Sequence, residues 1–232
     1  MDLVEKFRKY SGKYGVVHAA LAGVGRKAPA IWQATGPIVS RSYVLEYCRR
    51  EGPRGLNLGS GSHCIDGMLN VDIDPRADAF VDLTKPLPLP DACFDVIFTE
   101  EVIEHVDEAA GARLLDECFR VLKPGGVIHV ATPCLEYFGA RVANEDSHGA
   151  EINQIFYEHG HRFIYSRPRL TAALEQAGFE AVRFYKYKDP EALLGRYDSH
   201  AARFDHDPAI SHHVEASKPG SAANLGAFTS DA

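Results

Sequence analysis

Short apolar runs broken by glycine, proline or acidic residues recur along most of this chain. Residues 54–58 and 69–71 are apolar runs of strand length. A third run, 79–84, ends on an acid and leads into Lys85 to Pro90, where alternating prolines exclude a helix. Phe94-Asp95-Val96-Ile97-Phe98-Thr99 is apolar enough for a strand buried on both faces. From 107 to 122 the period changes. Leu114, Leu115, Cys118, Val121 and Leu122 fall on one helical stripe, and Lys123-Pro124-Gly125-Gly126 ends it. Residues 127–131 form a fifth strand. Later come a helix over 166–177 stopped by Gly178, a strand over 179–187 and a seventh over 210–217. Val44, Leu45, Tyr47 and Cys48 place one more helix at 38–50, ahead of the first strand. Strands alternating with helices predict an α/β fold.

The ends of the first two strands carry the candidate chemistry. Ligands of parallel α/β sheets bind outside the carboxyl ends of the strands. There the first run passes from Leu58 into Gly59-Ser60-Gly61, and the second ends in Asp72. Glycines let the backbone turn sharply against a ligand, and a carboxylate there can accept both hydroxyls of a ribose. A plain tight turn explains the glycines alone equally well. Cys64 stands where a dinucleotide fingerprint needs its third glycine, and about ten residues between the strands is near the minimum for a crossover. That argues against a pyrophosphate and suits a nucleoside without phosphate.

Composition narrows the class. The 232 residues suffice for one sizeable α/β domain, with 45% hydrophobic and 25% charged residues. A net charge of −7 argues against nucleic acid as a partner. Cys48, Cys64, Cys93, Cys118 and Cys134 are odd in number and scattered, as for reduced thiols in a cytoplasm rather than a disulfide framework or zinc site. No apolar run approaches a membrane span. Lys6, Arg8, Lys9, Lys13, Arg26 and Lys27 make the N-terminal segment basic, open to peripheral membrane contact. Its apolar core, Val16 to Ala22, is short for a signal peptide and broken by His18. The expected reading of 1–51 is a helical cap that covers the open top of the ligand site. Residues 132–165 lack clear period and read as a lid or substrate-recognition insertion. Residues 218–232 read as a flexible tail.

Taken in order, Gly59-Ser60-Gly61, Asp72, Asp82 before a Leu-Pro loop, Phe94-Asp95-Val96-Ile97, Val102-Ile103-Glu104-His105 and Arg120-Val121-Leu122-Lys123-Pro124-Gly125-Gly126 resemble a class I S-adenosylmethionine-dependent methyltransferase of the type 11 group. The short crossover is similar to a subset linked to glycan or polysaccharide synthesis. The likeness covers 54–131 well and 160–187 loosely. It implies a Rossmann-like, seven-stranded, mostly parallel sheet in one domain, 52–217, and S-adenosyl-L-methionine as cofactor. It further implies that Leu58, Gly59, Ser60 and Gly61 underlie the methionyl part and ribose. Asp72 would hold the ribose, Ile73 would pack on adenine, Asp82 and Leu83 would meet its edge, and Thr99 and Glu100 would border the sulfonium. The shrunken loop 62–67 departs from the pattern, leaving His63 or Asp66 as candidates for the methionyl end.

Methyl transfer from a sulfonium is an in-line displacement, so alignment and water exclusion matter most. A neutral acceptor also benefits from a base, and His161, His105 and His159 are the candidates, His161 first. Against that, His161 pinning Tyr165 and His105 anchoring the next helix are structural readings of the same residues. A metal held by His148, His159 and His161 finds no carboxylate or cysteine at matching spacing, so none is expected. The expected activity is O- or N-methylation of a small molecule or glycan precursor. A non-catalytic cofactor-binding partner is the alternative, and a nicotinamide oxidoreductase fits less well. The sequence leaves the oligomeric state open.

Overall fold

The computed structural model describes residues 11–13, 15–144, 149–221, 223 and 225–229. Strands β1 (Gly55–Leu58), β2 (Met68–Asp72), β3 (Ala79–Phe80), β4 (Phe94–Glu100), β5 (Leu122–Pro133), β6 (Glu180–Tyr185) and β7 (Ser211–Ser217) form one sheet in the order β3-β2-β1-β4-β5-β7-β6. β1 to β5 pair in parallel, whereas β7 runs antiparallel to both β5 and β6. The strand order reverses between β1 and β4, which creates a switch point at their carboxyl ends.

Helix α1 spans Val16–Gly25 and α2 Pro29–Cys48. α3, Glu108–Val121, is capped by Asp107, whose side chain accepts from the Ala110 amide. Its stripe of Leu114, Leu115, Cys118 and Val121 is buried, as the periodicity predicts. Arg120, on the same helix, reaches the Leu87 and Leu89 carbonyls and so fixes the proline loop. α6, Arg167–Gln176, is capped by Ser166.

Several expectations need correction. The third strand stops at Phe80 rather than Thr84, because Asp82 accepts from the Thr84 amide and hydroxyl and bends the chain away. The described N-terminal helices reach Pro75, just past the end of β2, through Gly25. They pack along the β3 edge, where Trp32 meets Phe80 and the missing side chain of Gly36 lets α2 approach within what would be 2.7 Å of a Cβ. The basic Lys6, Arg8 and Lys9 lie outside the described residues. The unpatterned insertion contains two amphipathic helices, α4 (Leu135–Ala143) and α5 (Ala150–Tyr157), which bury Phe138, Ile155 and Ile164 together. The expected flexible tail is tied down over its described part. Lys218 donates to the Phe119 and Leu122 carbonyls, and Phe228 is buried against Met68 and Leu194. All five cysteines are free. No helix among the described residues is long and apolar enough to cross a membrane.

The excursion between β6 and β7 is the part that shapes the site. It carries a 3-10 turn at Gly195–Tyr197, the short helix α7 (His200–Phe204) and a second turn at Pro208–Ile210. Its anchor is His129 on β5, a fully buried imidazole between Asp198 (2.8 Å) and Glu215 (3.2 Å). Burial alone would push His129 down, but the two carboxylates raise it to about 9. Asp198 also pairs with His213 at 3.1 Å. This buried network fixes where α7 starts.

Candidate functional site

The glycine turn is built by strain relief and close approach. Gly59 has φ +72°, and a Cβ there would lie 2.4 Å from Val102 Cγ2. The Gly59 and Ser60 amides both donate to the Val71 carbonyl, which binds the turn to the end of β2. Gly61 has φ +50° and open space where a side chain would go. Asp72 accepts the Gly61 amide on one oxygen and the Asp74 amide on the other, both at 2.8 Å. Each carboxylate oxygen keeps a second acceptor position for a ligand hydroxyl. Ile73 stands beside it with 52% of its surface exposed.

No helix fills the crossover from 59 to 67. A buried polar network holds the loop instead. Asn70 accepts from the Ile65 amide and from Asn57, and donates to Asp78. Asn57 also donates to the His63 carbonyl. This network replaces helix packing with satisfied hydrogen bonds.

The turn opens into a cleft of about 500 Å³, within the roughly 300–1,000 Å³ usual for small-molecule sites. Gly59, Ser60, Gly61 and His63 line one end, and His105, His159, His161 and Ile155 line the other. The Ser60 hydroxyl is buried with no partner. Leu58 lies fully buried under the turn. Thr99 is buried with its hydroxyl unpaired. Asp72, Ile73, Asp82 and Leu83 lie beside the cleft and outside its lining, and Asp82 pairs with Lys85 at 2.8 Å. Asp66 is exposed and does not line the cleft either.

Glu100 lines the cleft, but its carboxylate is occupied by the excursion. It accepts from the Ser199 amide and hydroxyl, the His200 amide and Arg203, all within 2.8 Å. Four donors fill the acceptor positions of one carboxylate. His63 reaches the same segment through Ser199 at 3.1 Å. Residues 199–206 therefore form a wall of the cleft. Ser199, His200, Arg203 and His206 are the site residues that sequence reasoning missed. Four histidines before or in β7, at 200, 206, 212 and 213, were the available signal, but nothing in the stretch before it has a readable period.

The far end of the cleft gathers imidazoles. The His105 and His161 rings meet edge to face at 4.7 Å, and His159 lies 6.1 Å from His161. Burial, helped by the neighbouring imidazoles, pushes His161 down to about 4, so it is neutral at pH 7 and a weak proton acceptor. Burial lowers His105 as well, against a backbone hydrogen bond at Gly160. Glu101 follows β4 with φ +56° and accepts from the Ser211 hydroxyl at 2.7 Å. Glu104 is completely buried. Burial raises both carboxyls above the usual range, with their mutual repulsion adding to that of Glu104. The sequence reading found no carboxylate to accompany these histidines. The fold supplies one, since donor atoms of Glu104, His105 and His161 lie within 4.8 Å of one another. The signal was the spacing Glu101-x-x-Glu104-His105 at the end of β4. His148 lies outside the described residues.

Residues 33–183 match the sequence profile of a methyltransferase domain. A "probable S-adenosylmethionine-dependent methyltransferase" of Mycolicibacterium smegmatis is 38% identical over 46% of this chain and 36% of its own. One of the same name from Mycobacterium tuberculosis is 33% identical over 66% of this chain and 54% of its own. The chain thus spans between a third and just over half of the length of these curated relatives. Among solved structures, a chain from the complex between the Haloferax volcanii Trm112 methyltransferase activator and a methyltransferase superposes with a TM-score of 0.50. It is 18% identical and covers 87% of this chain and 97% of that one, a likeness of fold.

Proposed function

The chain belongs to the S-adenosylmethionine-dependent methyltransferase family, and on that premise we propose that it methylates an oxygen or nitrogen of a small molecule or glycan precursor. One observation carries the reading: the glycine turn beside Asp72 and the imidazole-rich chamber open into a single cleft. The cofactor fits the residues present. An unpaired buried Ser60 hydroxyl, an unfilled Gly61 position and a half-exposed Ile73 beside a carboxylate suit a ribose with a flat base.

When bound, S-adenosylmethionine supplies a methyl carbon made electrophilic by its sulfonium. Gly59 to Gly61 would support the methionyl part, and Asp72 would accept the ribose hydroxyls. Ile73 would cover the base, with Asp82 and Leu83 near its edge. Glu100 lines the central cleft, where Arg203 and Ser199 keep it in place, and Thr99 would lie behind it on β4. His105 and His161 would orient the acceptor. Phe138, Ile155, Phe204 and Ile210 offer an apolar wall for the carbon face of a ring or sugar, opposite polar groups that can bond its hydroxyls. A cleft of about 500 Å³ must also contain the cofactor, which favours a small acceptor or the end of a larger one. The test is methyl transfer from labelled cofactor to fractionated metabolites of the source cell. A labelled low-mass or glycan-linked product is expected; label incorporated only into protein or RNA would overturn the acceptor assignment.

A further inference from the structure

We infer that Glu104, His105 and His161 bind a divalent first-row transition ion at the acceptor end of the cleft, with Glu101 the adjacent carboxylate. Glu104 and His105 come from the turn after β4, and His161 from the segment that follows α5. Tertiary structure alone brings them together. Their donor atoms lie within 4.8 Å of one another, and His105 Nε2 is 3.9 Å from Glu104 Oε1. Those separations are near what bonds of about 2 Å to one centre require.

Two of the atoms in these groups lack a hydrogen-bond donor or acceptor of their own, although the Glu104 carboxyl also interacts with that of Glu101. Glu104 Oε1 and His161 Nδ1 are both buried without a hydrogen bond. Burying a polar atom unpaired is unfavourable, and doing so twice at one point calls for a missing ligand. The surroundings of the trio are organised as they are around metal ligands. Thr132 Oγ1 donates to Glu104 Oε2 at 2.9 Å, which turns Oε1 towards the histidines. The Gly160 backbone lies beside the His105 ring and favours its charged form. Such outer contacts fix ring and carboxylate orientation. Glu101 stands in a left-handed backbone conformation that non-glycine residues rarely adopt, and its carboxyl interacts with that of Glu104.

The donor set names the ion class. Two imidazoles with carboxylate favour zinc, manganese, iron(II) or cobalt over calcium and magnesium. Three protein ligands at the edge of an open cleft leave coordination positions for an acceptor oxygen. There the ion would hold that oxygen and lower its pKa, a role that rests on the methyl-transfer reading. The binding site itself does not. A second group, His129, Asp198 and His213, is also close enough to share an ion. All three are buried, and an imidazolium already compensates its carboxylates.

The full chain, stripped with a chelator and dialysed, is titrated with Co²⁺ followed by visible absorption and with Zn²⁺ by calorimetry. One ion per chain is expected, and His161→Ala and Glu104→Gln should each weaken binding about tenfold or more. No stoichiometric uptake by the parent protein would overturn the site. So would unchanged uptake by His161→Ala, since the ion would then sit elsewhere. Glu104 is buried, and thermal melting checks that its variant folds; the more exposed His161 carries the test if it does not. Parallel titration with S-adenosylhomocysteine reports separately on the cofactor end. Metal uptake without nucleoside binding would reject the proposed function and leave this site standing.

Discussion

Replacing Asp198 with asparagine removes one charge from the centre of the network that anchors the cleft wall. Asp198 is buried, 2.8 Å from His129 and 3.1 Å from His213. Raising His129 from 6.5 to about 9 corresponds to about 3 kcal/mol at 1.36 kcal/mol per unit. Asp198 is held below its usual range by the same contact, so its shift is not added again. Glu215 remains in the variant, and a loss of about 2–3 kcal/mol at neutral pH is expected, just under the range for breaking a buried pair. The pH dependence has a definite sign. His129 is raised in the fold, so its contribution is complete below 6.5 and disappears as pH rises through about 9. Asp198 is depressed, so its contribution is present above 3.8 and disappears as pH falls. Urea denaturation of parent and variant between pH 5 and 10 measures the difference. It should be greatest between about pH 4 and 6.5 and shrink towards pH 10. A variant within 0.5 kcal/mol of the parent at pH 6, the size of an ordinary surface substitution, would refute a charged His129.

Three further substitutions probe the cleft and its supports. Asp72→Ala should weaken S-adenosylhomocysteine binding by at least ~1–3 kcal/mol, because it frees the Gly61 amide as well as the ribose hydroxyls; calorimetry reads this, and unchanged affinity would misplace the ribose. Gly59→Ala should lose cofactor binding and about 1–3 kcal/mol of stability, since its Cβ meets Val102 at 2.4 Å in a left-handed turn; a melting curve like the parent's would contradict this. Phe228→Ala should destabilise the fold by about 3 kcal/mol, because the ring fills space beside Met68. A negligible effect in urea would restore the picture of a free tail.

How much of this was legible from sequence depends on the kind of signal. The periodic stripe of α3, the buried β4 and the helix stop at Gly178 are local patterns, and each element forms where they place it. The turn at Gly59 and the acid at Asp72 are likewise local, and the structure joins them by the hydrogen bond to Gly61. The cleft wall was not legible. Ser199 and Arg203 meet Glu100 across about a hundred positions, and nothing in a linear pattern marks that pairing. The same holds for His161 beside Glu104. The N-terminal helices were expected as a cap, and the sequence does not say which surface such helices cover. Gly36 and Phe80 set where α2 packs by shape.

Titration of the purified chain with S-adenosylhomocysteine, followed by the chemical shifts or fluorescence of cleft residues, tests most directly whether a nucleoside occupies the strand tips. Saturable one-to-one binding is expected, perturbing Gly59 to Gly61 and Ile73 and weakened in Asp72→Ala. Absence of binding, or binding that leaves those residues unmoved, would contradict it.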